Sequence, residues 1–564
     1  MMNVRKLSVI VVGFILVGYV EADSQVTNQN QKVSDKQLIY QQERQKAAEE
    51  ALSPKTPDVN LLSPLKKINN IDFPEEKLCF PIAHVKLLEK ETLPFYVPLS
   101  PLTKQAEGRC LGTQGLNLLM TELQNQLINY GFITTRVVAP QQDLSQGTFT
   151  LLILKGSVKS IHYSKDSDTY ANLYTSIPLR SGELLNLRSL EQGLENLQRI
   201  PTVDAKIELI PGAKEGETEI VIKRNQSKFW RVGMSVDNSG TKDTGRYLGG
   251  LTFYLDNPLG FSDSFYVSGD HDLENKDKYG NRDYYFSYSI PYGYWMFDAL
   301  IYGNTYHQNI PGIVDYQYKG RSKNYNFKVS RVLHRSSTQK TTLSYGINLR
   351  QSHNFMNDLE LENQRRKTTN WKLGLQHRHY INDMTLDVDV WYQKGVRWFG
   401  AEKAREEEIN IASALTNIFK FDISFYAPFN LGNQNFAYSV DYNGQMTRGN
   451  KLTPPDRFSI GSRWTVRGFD GEQMLTADNG WYLRNDLIWQ MPIRQQLYFG
   501  LDAGQVSGRN SERLSGKRLV GSALGIRGQQ FNVYYDVFAG VPLHKPNNFK
   551  TNHLTVAFYL NWTY

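Results

Sequence analysis

Long apolar runs are missing from this chain of 564 residues. After the N-terminal segment, no stretch approaches the ~20 apolar residues that a membrane-spanning helix needs, which excludes a helical membrane protein. Mean hydropathy is low, at −0.48, yet the chain contains 33 Tyr and 43 Gly. This composition is still compatible with a transmembrane β-barrel, because only alternate residues of each strand face lipid.

Catalytic signatures are also missing: there is no His-Glu-x-x-His, no P-loop lysine motif and no Gly-x-Ser-x-Gly. No metal-ligand spacing stands out, and the polar segment from Ser268 to Asp272 lies between strand-like runs, where a turn is expected. The net charge of +8 is spread along the chain, without the Lys/Arg tract of a nucleic-acid arm. We therefore expect no enzymatic activity, no cofactor, no metal site and no nucleic-acid partner.

The first 22 residues have the three parts of a secretory signal peptide. Arg5 and Lys6 form the basic region, Leu7 to Val20 the apolar core, and Val20-Glu21-Ala22 a small-residue cleavage site. An uncleaved membrane anchor is the alternative, and the short apolar run of ~14 residues disfavours it.

Cysteine is nearly absent, with only Cys79 and Cys110 in the chain. Their separation excludes a Cys-x-x-Cys redox or zinc motif. Because the protein is expected to be exported, we predict that they form one disulfide, with two buried free thiols as the alternative.

The region after the signal predicts a polar helix and a linker. Asp23 to Val33 is polar, and Ser34 is placed to cap a helix from Asp35 to Leu52 that has no continuous apolar stripe. A helix that is polar all round belongs in water or in a polar cavity. The proline-punctuated residues 53–73 predict a linker.

Two small α+β units are predicted next, at residues 74–155 and 156–226. Each combines one apolar-striped helix with strands that alternate or are rich in β-branched residues. The predicted helices are Thr113–Asn129 and Leu187–Gln198, the latter capped by Asn186, and the predicted strands are 82–88, 132–138, 148–154, 158–163, 203–210 and 217–223.

From Phe229 onward helix signals disappear, and period-two alternation takes over. In the last segment every even position is apolar and the odd positions are mostly polar, with an aromatic at the end. The even positions are Leu554, Val556, Phe558, Leu560, Trp562 and Tyr564. A sandwich edge strand would alternate in the same way, but residues 227–564 have room for about sixteen antiparallel barrel strands of ~10 residues.

Three segments carry a resemblance to a known family. Residues 184–194, with Arg199-Ile200-Pro201 and Pro211-Gly212, resemble the second periplasmic domain of two-partner secretion transporters. Residues 466–472 resemble the signature of the inward-folded loop in that superfamily, and residues 500–504 resemble the strand motif that receives this loop. The motif residues are Val466, Arg467, Gly468, Phe469 and Asp470 in the loop, and Gly500, Asp502 and Gly504 in the strand.

The resemblance implies a pore in the outer membrane of a Gram-negative bacterium. It implies a plug helix, two periplasmic polypeptide-transport-associated (POTRA) domains, and a barrel with an inward loop at about residues 457–480. Such a pore recognises the N-terminal secretion domain of one large exoprotein, a haemolysin, adhesin or contact-dependent growth-inhibition toxin, and translocates it to the cell surface. The implied pore is a monomer that contacts outer-membrane lipid. The assembly machinery would read the end of the chain, where Tyr564 replaces the Phe of many relatives.

Strand alternation supports a role for the loop motif independently of the resemblance. Asp502 lies on the polar face of its segment, opposite Leu501 and Ala503. A guanidinium enclosed in a barrel needs a carboxylate, so we predict that Arg467 pairs with Asp502 in the lumen while Gly468 allows a tight turn. The alternative is that Arg467 lies in a solvated surface loop.

Two other functions fit a barrel. An assembly factor that inserts other barrels would share the loop signature, but two periplasmic units and a plug-like helix count against it. A passive porin would not need about 200 residues outside its barrel.

Overall fold

The computed structural model describes residues 35–54, 58–62, 65, 70–274, 278–310, 315–449 and 451–564. The predicted signal peptide, the polar segment that follows it and the capping Ser34 lie outside the described residues. Residues 35–52 form a helix, α1. Among the described residues, no helix is both long enough and apolar enough to cross a bilayer.

The first α+β unit packs one long helix against a three-stranded sheet. Its elements are β1 (Phe80–Ile82), β2 (His84–Leu88), α2 (Ser100–Ala106), β3 (Arg109–Leu111), α3 (Thr113–Asn129), β4 (Arg136–Val138) and β5 (Thr148–Leu154). The sheet order is β2-β5-β4, with β2 and β5 parallel, while β1 and β3 form a separate pair. Buried leucines on one face of α3 pack against β5, as their helical spacing predicts.

Two strand predictions in this unit need correction. The predicted strand 82–88 is divided, because β1 pairs with β3 whereas β2 pairs with β5. The predicted strand 132–138 is reduced to β4, since Gly131 turns the chain at φ +92° and Phe132 is buried in the core. The disulfide links Cys79, the residue before β1, to Cys110 in β3, so it ties together the start of the unit and the β1–β3 pair.

The second α+β unit repeats the arrangement. Its elements are β6 (Ser157–Tyr163), α4 (Leu173–Ser176), α5 (Leu187–Gln198), β7 (Val203–Pro211) and β8 (Glu217–Gln226), and the sheet order is β6-β8-β7. The Asn186 side chain caps α5 by accepting a hydrogen bond from the Arg188 backbone N–H at 2.8 Å. Leucines of α5 pack against Ile220 and Ile222 of β8 to make the core.

Sixteen antiparallel strands in the described part of the chain form a closed barrel. They are β9 (Trp230–Asp237), β10 (Leu248–Asp256), β11 (Ser264–Asp272), β12 (Tyr279–Tyr292), β13 (Trp295–Ile310), β14 (Tyr316–Arg335), β15 (Gln339–Met356), β17 (Arg366–Ile381), β18 (Met384–Val396), β19 (Asn417–Leu431), β20 (Gln434–Thr447), β23 (Asn479–Gln490), β24 (Gln495–Ser507), β25 (Arg518–Gln530), β26 (Val533–His544) and β27 (Thr555–Thr563). The first strand pairs with the last and closes the barrel, which confirms the predicted fold class.

Besides the sixteen barrel strands, the described residues of the barrel region form three short strands and one short helix. They are β16 (Leu359–Glu360), β21 (Phe458–Ile460), β22 (Leu475–Ala477) and the single-turn α6 (Arg405–Glu408). The first of these strands pairs with the distal end of β15, and the other two pair with each other. The helix lies in the loop between β18 and β19, where the sequence predicts no helical element.

The last strand has the two faces that its alternation predicts. Val556 and Leu560 are 45% and 39% exposed on the outer surface, whereas Thr555 and Ala557 are buried inward. We call the barrel opening beside the α+β units the proximal mouth and the opposite opening the distal mouth. Each strand runs between them, so α1 and the long loops can be placed relative to the wall.

The second α+β unit is bound to turns at the proximal mouth through α5. Asn196 donates a hydrogen bond to the Gly293 carbonyl oxygen at 2.8 Å, and Arg199 donates one to the Ser262 carbonyl oxygen at 3.0 Å. Residues Leu187 to Leu197 of α5 are all buried. The groove beside this helix is therefore covered by the barrel, whereas α3 keeps an exposed face.

An ionic cluster closes this interface. Arg335, at the proximal end of β14, donates to Glu195 of α5 at 2.8 Å, and Lys340 donates to the other Glu195 oxygen at 2.6 Å. Glu191 accepts from both Arg188 and Arg335. Burial opposes ionisation of Glu195, but the Arg335 hydrogen bond and the charges of Lys340 and Arg335 outweigh it and lower its pKa.

We expect the Cys79–Cys110 disulfide to stabilise the first α+β unit by about 3.5 kcal/mol, because it closes a loop of 31 residues in the unfolded chain. Alkylation and mass spectrometry should find no free thiol before reduction. Cys79→Ser, Cys110→Ser and the double variant should accelerate proteolysis of this unit equally, since each removes the same bond. Two alkylatable thiols in the unreduced protein would contradict the assignment.

We expect Glu195→Gln to weaken docking of the second unit on the barrel by about 3 kcal/mol, because it removes the carboxylate that Arg335 and Lys340 share and leaves Arg335 only its longer ion pair with Glu191. Spin labels on β7 and on the distal mouth should then report a broader distance distribution. The wild type should lose docking only as pH falls through the lowered carboxyl pKa, because a depressed pKa stabilises the docked state at higher pH. Glu208→Gln, in an exposed pair with Lys223, is the control, and equal broadening in both variants would refute the role of Glu195.

Candidate functional site

The loop between β20 and β23, residues 448–478, folds into the lumen from the distal mouth. Its strands β21 and β22 pair as a hairpin, and its apolar side chains pack against the inner wall. This loop, which we call the inward loop, is longer at its start than the predicted 457–480. Its buried core comprises Ile460, Val466, Phe469 and Leu475, with Val506, Leu519 and Phe549 from the surrounding wall and distal loop.

Arg467 anchors the inward loop to the wall. Its Nε and Nη2 atoms each donate to Asp502 on β24 at 2.7 Å, and its backbone N–H donates to the same carboxylate at 2.9 Å. Nη2 also donates to Asp486 on β23 at 2.5 Å. The Arg467 side chain is 1% exposed and Asp502 is fully buried. The structure therefore brings together the two residues that strand alternation paired, and adds a second carboxylate.

Glycines make room for this anchor. A Cβ atom on Gly500 would lie 2.3 Å from Arg467 Nη2, and one on Gly504 would lie 3.0 Å from Val466 Cγ2. Gly468 has φ +102°, and a Cβ there would lie 2.4 Å from the Val541 carbonyl oxygen. A side chain at Gly500 or Gly468 would displace the loop from the wall.

The remaining motif residues extend the contact toward the distal mouth. Phe469 is 1% exposed and packs edge-on against Phe549, with 5.7 Å between ring centroids. The Asp470 carboxylate accepts backbone N–H donors from Glu472 and Asn552 at 3.2 and 3.1 Å. Asp470 therefore shapes the tip of the loop and ties it to the segment that precedes β27.

Helix α1 lies inside the barrel and is bound to the wall by polar side chains. Arg44 forms a buried ion pair with Asp283 on β12 at 2.6 Å, and Gln41 accepts a hydrogen bond from Ser322 on β14 at 3.1 Å. Lys46 contacts Asp422 on β19 in a more exposed pair. At ~1.5 Å per residue, the helix is about 27 Å long, close to the thickness of a bilayer core.

The same helix contacts the inward loop. Tyr40 packs edge-on against Trp464 with ring centroids 5.4 Å apart, and Glu43 accepts a hydrogen bond from Ser459. Lys36 pairs with Glu472 at 3.1 Å. Helix and loop therefore fill the lumen together, and movement of one breaks contacts of the other.

Sequence reasoning missed part of this site. Asp486 shares the inward parity of β23 with Arg484, so alternation could have identified it as a second partner for Arg467. A Cβ on Gly521 would lie 2.0 Å from the Arg467 carbonyl oxygen, and one on Gly540 would lie 2.8 Å from the Gly468 nitrogen. These two glycines lie on β25 and β26, and nothing in their local sequence points to the loop.

The site is built from matched charges. In the part of the chain that the structure describes, no group of three or more His, Cys, Asp or Glu residues is placed to hold a metal ion. Three buried carboxylates of the lumen are bound by arginines: Asp486 and Asp502 by Arg467, and Asp283 by Arg44. What this arrangement can do is hold a helix and a loop by contacts that break and re-form without a covalent step.

Comparisons with known proteins match both parts of the chain, the barrel and the α+β units. The sequence model of the family "Haemolysin secretion/activation protein ShlB/FhaC/HecB" matches residues 216–528. Two POTRA models match the α+β units: a ShlB-type POTRA domain at residues 80–156 and a POTRA domain at residues 157–211.

Individual relatives match most of the chain. Outer membrane transporter CdiB-2 of Burkholderia pseudomallei (strain 1026b) is 35% identical over 462 residues, which cover 80% of this chain and 78% of that protein. Outer membrane transporter CdiB of Dickeya dadantii (strain 3937) is 28% identical over 567 residues, 98% of each chain. The solved structure of CdiB from Acinetobacter baumannii superposes with a TM-score of 0.78 at 30% identity, covering 94% of this chain and 99% of that one. The chain therefore belongs to the ShlB/FhaC/HecB family of haemolysin secretion/activation proteins, the outer-membrane transporters of two-partner secretion.

Proposed function

We propose that this chain exports one large partner exoprotein, a haemolysin, adhesin or contact-dependent growth-inhibition toxin, from the periplasm to the cell surface. The observation that carries the proposal is a barrel whose lumen is filled by a helix and a loop, both held by polar contacts, above two POTRA units. Co-expression with a large candidate exoprotein, sought in the open reading frame next to this gene, tests it. Cargo that stays in the periplasm only when this chain is deleted would support export.

The α+β units supply surfaces for an unfolded cargo. Each sheet has two edge strands, β2 and β4 in the first unit and β6 and β7 in the second, although residues 182–184 already hydrogen-bond to the start of β6. An extended secretion domain can add a strand at such an edge. Because α5 is covered by the barrel, the first unit, where α3 keeps an exposed face, is favoured for initial binding of the cargo's N-terminal secretion domain.

Cargo can pass through the barrel only if α1 and the inward loop move out of its path. The residues after α1 leave by the proximal mouth, where Asp58 pairs with Arg378 and the Val59 carbonyl accepts from Arg335. Cargo bound at the α+β units would thus contact the segment that connects these units to α1. The periplasm contains no ATP, so folding of the cargo outside the cell supplies direction.

Other partners follow from the outer-membrane location. The outward apolar side chains contact lipid, and the barrel assembly machinery reads Phe558, Leu560, Trp562 and Tyr564 at the end of β27. The chain acts as a monomer, since one barrel encloses the whole path. Removal of residues 1–22 precedes membrane insertion.

We expect deletion of residues 35–52 to raise single-channel conductance in planar bilayers, because the helix occupies the lumen. Arg44→Ala should raise the open probability, since it leaves Asp283 buried and unpaired and destabilises the seated helix by about 3 kcal/mol. Lys46→Ala, in the more exposed pair with Asp422, is the matched control and should change conductance little. Unchanged conductance after the deletion would disprove the plug role.

We expect Arg467→Ala to leave a barrel that assembles but secretes its cargo poorly, because the inward loop loses its anchor while the lipid-facing residues stay. Asp502→Ala should do less damage, since Asp486 remains as a partner, and the double variant should add little to Arg467→Ala. Secreted and periplasmic cargo are quantified by immunoblot.

Two controls accompany the anchor variants. Arg467→Lys should restore secretion only in part, because an ammonium cannot reproduce the forked contact with two carboxylates. Arg448→Ala removes an exposed arginine of the same loop and should secrete normally. Fully additive single effects, or crosslinking of Arg467 to probes on the cell surface, would refute the anchor.

A further inference from the structure

A row of polar and basic side chains crosses the outer surface of the barrel near the distal mouth. Cross-strand pairing sets His271 of β11 beside Arg282 of β12, Thr305 of β13, Arg321 of β14 and His353 of β15. Five successive strands therefore present these side chains as one continuous row, which rises by about 3 Å per strand because the strands are tilted by ~40°. We call this set the basic row.

The basic row lies on the lipid side of the wall. On β14, Arg321 and Lys323 are exposed and alternate with Ser322 and Asn324, which are buried toward the lumen. Phe327, two outward positions below Lys323, is 50% exposed and shares their face. The cations thus continue the same outward stripe as the apolar residues that contact acyl chains.

The height of the row matches the distal edge of the hydrocarbon layer. Arg331 marks the proximal edge on β14, where its guanidinium lies over the Trp295 ring at 5.0 Å. Ten residues separate Arg331 from Arg321, and at ~3.3 Å per residue with a strand tilt of ~40° they span about 25 Å along the membrane normal. That distance equals the usual height of the apolar band, so Arg321 lies at the level of lipid phosphates.

Positive charge in the row is only partly neutralised. At its edges, Lys319 binds Asp358 at 2.7 Å and His353 binds Glu360 at 2.8 Å. Within the described residues, three cations have no carboxylate oxygen within 4.0 Å: Arg282, Arg321 and Lys323. Unneutralised cations at a membrane interface attract anionic headgroups.

A cavity of about 450 Å³ opens along the same row. Its polar lining includes His271, Arg282, Thr305, His307, Lys319 and Arg321, together with one carboxylate, Asp272, which lies 3.3 Å from the His271 ring. Two glycines, Gly280 and Gly320, also line it, so backbone rather than side chain forms part of its floor. The surface is therefore concave as well as cationic.

Two other strands differ from this row near the distal mouth. Toward the distal ends of β26 and β27 the outward residues are exposed and apolar: Val541, Leu543, Leu554 and Val556. The distal rim is therefore not uniformly cationic.

We propose that the basic row and its cavity bind the phosphorylated headgroup of a lipid in the leaflet that faces the cell exterior. Arg282 and Arg321 present forked donors that suit phosphate oxygens, and Lys323 adds a flexible cation below them. The acyl chains lie on the outward residues directly beneath the row, which are Phe286, Ile301, Tyr325 and Leu349.

The test uses the full-length protein in detergent, titrated with diphosphoryl lipid A and observed by native mass spectrometry. The double variant Arg282→Gln/Arg321→Gln should bind this lipid about tenfold or more weakly, because two charge-assisted contacts are lost. Monophosphoryl lipid A should bind the wild type more weakly than the diphosphoryl form. Heat-modifiable migration in electrophoresis verifies that each variant is a folded barrel, and the two single variants replace the double variant if it does not fold.

Arg331→Gln is the matched control, because Arg331 is an outward arginine on the same strand at the other membrane edge. It should bind lipid A within about twofold of the wild type. Equal weakening in the control and the double variant, or wild-type binding by the double variant, would refute the site. If inorganic phosphate binds the wild type with the affinity of diphosphoryl lipid A, the ligand is a free anion and the lipid assignment is wrong.

Discussion

A buried guanidinium must have its charge matched, and in this barrel Asp502 and Asp486 match that of Arg467. The three residues come from a loop and two neighbouring strands, so the ion cluster holds a long distal segment inside the lumen. The strand glycines belong to the same constraint, since a side chain at Gly500 would occupy the position of the guanidinium. The loop's apolar core and its contacts with α1 depend on this anchor being formed.

The lumen is closed by polar contacts, and this has a mechanical consequence. An apolar plug would bury its surface against an apolar wall and would have to expose it to water on leaving. Helix α1 is instead held by hydrogen bonds and ion pairs with the wall, such as Arg44 with Asp283. On the proposed export route, water would replace these contacts, so the helix would leave without unfolding of the barrel.

The proximal side is organised around one helix of the second POTRA unit. Helix α5 is buried between its own sheet and the barrel turns, and its carboxylates bind Arg335 and Lys340. The chain after α1 passes the same cluster, because the Val59 backbone N–H donates to Glu195 and its carbonyl oxygen accepts from Arg335. One ionic cluster therefore touches the POTRA unit, the barrel and the segment that leads to the luminal helix.

Local sequence patterns by themselves determined most element types, because helix and strand periods are written in consecutive residues. They failed at α6, which they did not predict, and at residues 268–272, where a turn was expected and β11 continues. Alternation in the last strand, the apolar stripe of α3 and the parity of Asp502 all agree with the structure. Three features were decided only by the tertiary structure. They are the close contacts of Gly521 and Gly540 with the inward loop, the identity of the partner of Glu195, and the basic row. Each depends on strands or domains distant in the chain, and the register that brings them together is set by closure of the whole barrel.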